Sequence, residues 1–329
     1  AVSVPSGTQE FILVGTVNNL TLGKSMLVTL TTGNLSGPSG AVSLVSPLPA
    51  AAVTGSVTGK THTVNGYTVT LSPAQASYTV GSSVTINWSP VGSPSAGGTV
   101  KLEYSTNGGV TYPNLITTST ANDGSEPWTI PNATGSNIRV RVTNNAETTA
   151  KGVSSLFTIK GTLVLGAHSS GPVGNNFATA GTSVPSTTQL FRFSLTASGE
   201  QVNIGTLTLP WSSTGATVAQ ADITSVVLTR GATTFTGTVG AASITFSNVT
   251  VPIGAQDFVV TGAVGALTPG DNLTVGALAT TNLTTVLGAS SNTSITPTGA
   301  TVAAAGHTKP GTLVLGAHSS GPVGNNFAT

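Results

Sequence analysis

The sequence predicts an all-β chain of tandem β-sandwiches. Three observations carry this: apolar and polar residues alternate in short runs bounded by Gly, Pro, Asn and Ser; no stretch repeats with a helical period; and a nineteen-residue segment occurs twice, 150 residues apart. Alternation with a period of two is what a strand half-buried in a sheet requires, because successive side chains point to opposite faces. A fixed period of this size marks an array of domains rather than one large core.

The duplicated segment fixes the organisation. Residues 161–179 and 311–329 both read GTLVLGAHSSGPVGNNFAT. A second echo is weaker: AVSVPSGTQEFILVGTV at 1–17 aligns without a gap to NVTVPIGAQDFVVTGAV at 248–264. Val2, Val4, Gly7, Gln9 and Phe11 stand opposite Val249, Val251, Gly254, Gln256 and Phe258, and the alignment continues through Gly23 opposite Gly270. Residues 1–65 therefore read as the back half of a 161–310-type domain. Residues 311–329 read as the opening strand of a further repeat.

Between the echoes lies a different unit, 66–160. Val84-Thr-Ile86-Asn-Trp88, Val100-Lys-Leu102-Glu-Tyr104 and Ile138-Arg-Val140-Arg-Val142 alternate strictly. Their inward parity predicts a shared core of Trp88, Leu102, Tyr104, Trp128, Ile138, Val140 and Val142. Lys101, Glu103, Arg139 and Arg141 share the outward parity, where opposite charges on adjacent strands can pair. Asn107-Gly108 and Asn122-Asp123-Gly124 are turn signals, since these residues tolerate positive φ. With Trp128-Thr-Ile-Pro131, these landmarks resemble the immunoglobulin-like domain of the Ser/Thr-rich Kre9/Knh1-type surface-protein family. The resemblance covers about a third of the chain and implies a non-catalytic building block of a surface protein.

Lys160-Gly161 is the expected junction to the next unit, 161–310. Strands are predicted near 162–166, 188–195, 202–209, 222–229, 242–251, 256–264 and 272–279, separated by turn residues as in a β-sandwich. Phe191-Arg-Phe-Ser-Leu-Thr-Ala-Ser-Gly-Glu200, followed by a Thr/Leu strand, is similar to repeats of prokaryotic cell-surface and surface-layer proteins.

Composition narrows the function. Only 6% of the 329 residues are charged, against roughly 25% in ordinary soluble domains. The net charge is +1 with no basic run, which leaves no electrostatic footprint for nucleic acid or an anionic membrane. The hydrophobic content of 38% and mean hydropathy of +0.27 favour a folded chain over a disordered one. There is no Cys, and no apolar stretch approaches the ~18 residues of a membrane span. Few charges, many hydroxyls and Asn-X-Ser/Thr acceptors at Asn19, Asn34, Asn87, Asn132, Asn248, Asn272, Asn282 and Asn292 suit an extracellular, cell-surface glycoprotein.

Chemistry is sparse. The nine carboxylates are scattered; Asp123 and Glu126 are the closest pair, and Asp123 is explained by its turn. His168 and His318 occupy one repeat position in a turn-like loop with no second ligand at metal spacing. Asn122-Asp123-Gly124 offers calcium one carboxylate where about six to eight oxygens are wanted. Trp211 is a candidate sugar-stacking platform. The expectation is no catalytic residue, no cofactor and no metal.

The function expected is that of a structural subunit of an extracellular filament whose only partners are copies of itself and glycans. Thr312, Leu313, Val314 and Leu315 of one copy would enter, by β-strand addition, a sheet containing Val2, Val4, Phe11 and Leu13 of the next. This reading expects the first copy of the strand, Thr162–Leu165, to pair with later strands of its own domain. Its weak point is that 180–247 has no counterpart in 1–65. The alternatives are a stalk or surface-layer segment of a longer tandem-repeat adhesin, and the non-catalytic, carbohydrate-binding part of a secreted hydrolase.

Overall fold

The structure, a computed structural model, describes residues 23–27, 29–31, 56–58, 62–94, 97–173, 176–177, 181–214 and 218–311. The candidate interface residues Val2, Val4, Phe11, Leu13, Thr312, Leu313, Val314 and Leu315 lie outside them, as do Asn19 and Asn34. The fold is all-β. Among the described residues the only helical turns are two three-residue 3-10 turns, Gln220–Asp222 and Thr280–Asn282.

The chain divides into two compact units. Unit 1 comprises Ala1–Gln75, Ser83–Trp128 and Asn137–Leu156; unit 2 comprises Ala76–Ser82, Thr129–Ser136 and Phe157–Thr329. Four short strands come first among the described residues: β1 (Ser25–Met26), β2 (Thr29–Thr31), β3 (Ser56–Thr58) and β4 (His62–Thr63). Next come β5 (Gly66–Ser72), β6 (Ser77–Thr79), β7 (Ser83–Val91), β8 (Thr99–Ser105) and β9 (Asn114–Ala121). They are followed by β10 (Ser125–Thr129), β11 (Gly135–Asn144), β12 (Lys151–Val153) and β13 (Phe157–Lys160).

In unit 1 the strand order is β10-β7-β5-β12-β11-β8-β9. Trp88, Leu102, Trp128, Ile138, Val140 and Val142 are buried, as their parity dictates. Tyr104 departs from that set: it is half-buried, its ring tilted against Trp128 at 5.6 Å. The pairing of β8 with β9 is irregular between Leu102 and Glu103, and there the carboxylate of Glu103 is drawn in to 9% exposure. The outward charges meet as expected: Glu103 holds Lys101 at 2.9 Å and Arg141 at 2.8 Å. The core also contains a polar chain. Trp88 Nε1 donates to Asn122 Oδ1 at 2.9 Å, and the Asn122 and Asn144 amides donate to the Tyr67 hydroxyl at 3.1 and 2.8 Å. Each buried polar group in it therefore has a partner, the condition for placing it there at all.

In unit 2, β6 and β13 pair in parallel, with Tyr78 packed edge-on against Phe157 at 5.3 Å. The main body begins with β14 (Thr162–Gly166), β15 (Gln189–Ser198), β16 (Val202–Thr214), β17 (Ile223–Arg230) and β18 (Thr233–Val239). It continues with β19 (Ser243–Val251), β20 (Gly254–Val264), β21 (Asn272–Val275), β22 (Leu283–Gly288), β23 (Thr298–Gly299) and β24 (Ala305–Thr308). The seven predicted strands are all present; β18, β22, β23 and β24 are additional. The order is β23-β14-β15-β20-β17-β18-β19-β16-β21-β24, with β22 also on β16. The ribbon changes sheets within β18: residues 233–236 pair with β17 and 237–239 with β19. Gly237 stands at the changeover because a Cβ there would run into Phe246 and Val226. Phe191, Phe193, Phe246 and Phe258 fill the interior, Phe193 stacked on Phe258 at 5.1 Å.

The short opening strands repeat a feature of unit 2. β1 and β4 pair antiparallel with Ser25 opposite Thr63 and Met26 opposite His62. β21 and β24 pair with Asn272 opposite Thr308 and Leu273 opposite His307. Two flanking bonds recur as well. Gly23 N donates to Val64 O and Val64 N to Lys24 O, as Gly270 N donates to Lys309 O and Lys309 N to Asp271 O. The register of β21 and β24 thus recurs in β1 and β4, just beyond the point to which the sequence echo runs.

Candidate functional site

The duplicated segment is the feature most in need of a function, and its first copy is described at residues 161–173, 176 and 177. Gly161 leads it in. Its N–H donates at 2.9 Å to Oε1 of Glu200, a carboxylate only 2% exposed. The same carboxylate accepts the Ser290 and Ser291 amides at 2.7 and 2.8 Å and the Ser291 hydroxyl at 2.7 Å. Burial alone would push the Glu200 carboxyl up; the bonds from Gly161, Ser291 and Ser290 outweigh it and hold it below its ordinary value.

β14 follows. Alternation buries Leu163 and Leu165 and turns Val164 outward, 40% exposed. The expectation that this strand pairs with later strands of its domain needs correcting. Its main partner is β15, over five residue pairs from Thr162–Ser198 to Gly166–Ser194. Among the described later strands, β23 pairs with it, in parallel at Val164–Thr298 and Leu165–Gly299. The physical reason is proximity along the chain: β15 is the next strand, and consecutive elements usually lie side by side. β15 belongs to the stretch with no counterpart in 1–65.

Beyond Gly166 the loop is tied down by outward-facing side chains. Asp257 accepts the Ser169 amide at 3.1 Å and also the Ser169 hydroxyl. Arg192 donates to Ser170 O at 2.9 Å and to Pro172 O. The Ser169 hydroxyl, helped by its amide and by the Arg192 charge, lowers the Asp257 pKa against a smaller opposing effect of burial. His168 closes the turn: its Nδ1 accepts Ser170 N at 3.0 Å, and its carbonyl accepts Gly171 N at 2.8 Å. The segment ends on β24, where Phe177 N donates to Thr308 O at 3.1 Å and the Phe177 ring stacks on His307 at 5.3 Å. His307 is 1% exposed, with Nε2 2.7 Å from Leu190 O, and burial pushes its pKa down although the Leu190 contact raises it. Neither Glu200 nor His307 announced itself in the sequence. The one faint signal was inward parity in Ala305-Gly-His-Thr308.

Comparison with protein-family models and with curated proteins finds no match. Among solved structures the chain is similar to three N-terminal domains of the bacteriophage RB49 highly immunogenic outer capsid protein, at 11% identity and a TM-score of 0.21, covering 74% of this chain and 59% of that one. It is likewise similar to a putative membrane-anchored protein from Corynebacterium diphtheriae, at 10% identity and a TM-score of 0.23, covering 75% and 59%. A third similarity is to fibronectin(III)-like modules of Clostridium thermocellum CbhA, at 14% identity and a TM-score of 0.17, covering 74% and 94%. The chain thus spans under two thirds of the first two proteins' lengths, and likeness at these TM-scores carries no argument about activity.

The remaining candidates sort by exposure and bonding. Trp211 is no sugar platform: it is 7% exposed and its Nε1 donates to Gly240 O at 2.9 Å. In the proposed calcium turn, Asn122 Oδ1 is taken by Trp88 and Asp123 Oδ1 accepts Ser125 N at 3.3 Å. Among the described residues no three His, Asp or Glu side chains come together as a metal site. Of the glycan acceptors, Asn132, Asn248 and Asn292 are exposed, whereas Asn87, Asn272 and Asn282 are half-buried. Asn282 also shapes the backbone, since its Oδ1 accepts Ala279 N at 2.8 Å, as Asp222 accepts Ala219 N at 2.8 Å.

Proposed function

We propose that the chain is a structural, non-catalytic segment of an extracellular surface fibre built from tandem β-sandwiches. The observation that carries this reading is the recurrence of one strand register, Met26 opposite His62 and Leu273 opposite His307, on either side of an unrelated β unit. A chain that repeats a strand register and holds buried groups such as Glu200 and His307 with structural partners is suited to spanning distance and bearing load. Glycans on Asn132, Asn248 and Asn292 would shield its weakly charged surface. Antibodies against 161–310 should decorate fibres on intact source cells; label confined to the cytoplasm would overturn the reading.

Joining of copies by strand sharing is a second reading, favoured by the complete identity of 161–179 and 311–329. A segment with the same letters would bring the same strand-forming residues, the same Ser for an acidic partner and the same Phe for a histidine. In 1–65 the residue aligned with Asp257 is Glu10, and the residue at the strand-register position of His307 is His62. Such a head-to-tail contact would generate a filament rather than a closed dimer. Deleting 311–329 tests it directly: filaments that still assemble without the segment would rule strand sharing out.

A further inference from the structure

Resting on the fibre reading, we propose that Glu200 is a force clamp, the group that must be broken before the 161–310 sandwich can be pulled open from its N-terminal side. Tension carried along a tandem chain enters this sandwich at Gly161 and passes into β14. There the first N–H is held by a carboxylate rather than by another strand. That carboxylate is itself fixed, at 2% exposure, by the Ser290 and Ser291 amides and the Ser291 hydroxyl. The opening of β14 is thereby tied to a loop some 130 residues further along the chain.

Two features place the clamp on the load path. β14 has only five residues, and its outer side is covered by β23 at two of them, so strand pairing alone gives limited resistance. Bonds to a charged acceptor are roughly twice as strong as neutral ones and stronger still away from water. Gly288 leaves the room that the carboxylate occupies, since a Cβ there would collide with it. The clamp sits at the end of β14 where peeling would start. The loop ties at Asp257 and Arg192 lie beyond the other end and would be loaded only after β14 has yielded.

Single-molecule force spectroscopy on the full chain, tethered at its two termini, tests this. Opening of 161–310 is recognised by a contour gain of about 500 Å, from ~3.6 Å per residue. In Glu200→Gln the new amide N–H would oppose the Ser290 and Ser291 donors, and at fixed force that event should occur about tenfold faster. Ser291→Ala, which removes only the hydroxyl from the oxygen that holds Gly161, should give a smaller acceleration and carries the test if Glu200→Gln does not fold. A folded Glu200→Gln chain with a lowered melting temperature but an unchanged opening rate would overturn the clamp, because its role would then be stability alone. That result would leave the fibre reading standing. A wild-type sandwich that opens with no measurable resistance would overturn both.

Discussion

Glu200 takes the Ser291 hydroxyl at 2.7 Å inside the second unit and so joins two strand ends that neither sequence distance nor hydrophobic pattern connects. Replacing Glu200 by Ala strands the buried Gly161 and Ser291 amides, while the Ser290 amide can turn to solvent. Each unsatisfied buried donor costs about 1–3 kcal/mol, so the loss should be at least about 2 kcal/mol in chemical denaturation. Gly288→Ala should destabilise as well, by crowding the same carboxylate. A wild-type midpoint for both variants would show that the buried carboxylate is not holding the fold.

His307 gives the fold a pH dependence of defined sign. Its native pKa lies below the ordinary value of 6.5 because the imidazole is buried in neutral form. The unfolded chain therefore binds more protons just below that value. This contribution to stability is fully present above about pH 6.5, and falls as pH drops toward the depressed native pKa. Glu200, also lowered, adds a second loss at more acid pH, as the pH falls through its native pKa. His307→Phe, which keeps a ring against Phe177, should flatten the first phase and leave the second. Urea midpoints measured from pH 8 to pH 3 read both.

The unit 1 core makes a third prediction. Trp88→Ala empties a buried aromatic site and should cost about 3–5 kcal/mol. Tyr67→Phe keeps the ring but removes the acceptor shared by Asn122 and Asn144, and should cost about 1–3 kcal/mol. Calorimetry on both separates packing from polar satisfaction. Equal losses would contradict the assignment.

Accessibility orders the glycan acceptors. When the chain is expressed in a host that glycosylates Asn-X-Ser/Thr, peptide mapping should find sugar at Asn132, Asn248 and Asn292. It should find none at Asn272, whose buried Oδ1 lies inside the β21 pairing. Sugar at Asn272 with none at the three exposed positions would reverse this ordering.

Strand positions were readable where apolar residues alternate against a polar background, as in Val84–Trp88 or Ile138–Val142. β18 and β22 were not, because Thr and Gly fill most of β18 and half of β22, and burial is supplied by neighbours rather than by their own pattern. Tyr104 shows the limit at single residues: its parity is inward, yet it lies where the sheet is irregular and covers it only in part.

The sequence by itself determined the all-β class, the duplicated segment and the parity that lets Glu103 pair with Lys101 and Arg141. All of these are set by local periodicity or by comparing the chain with itself. Only the tertiary structure decided that β14 pairs chiefly with β15, that Trp211 belongs to the core, and that Glu200 and His307 are buried with designated partners. Those outcomes depend on contacts between residues far apart in sequence: His307 and Leu190 are 117 positions apart, and Glu200 gathers Gly161 from 39 positions away and Ser291 from 91. A lone carboxylate or imidazole has no period. Its role is fixed only when folding brings its hydrogen-bond partners to it.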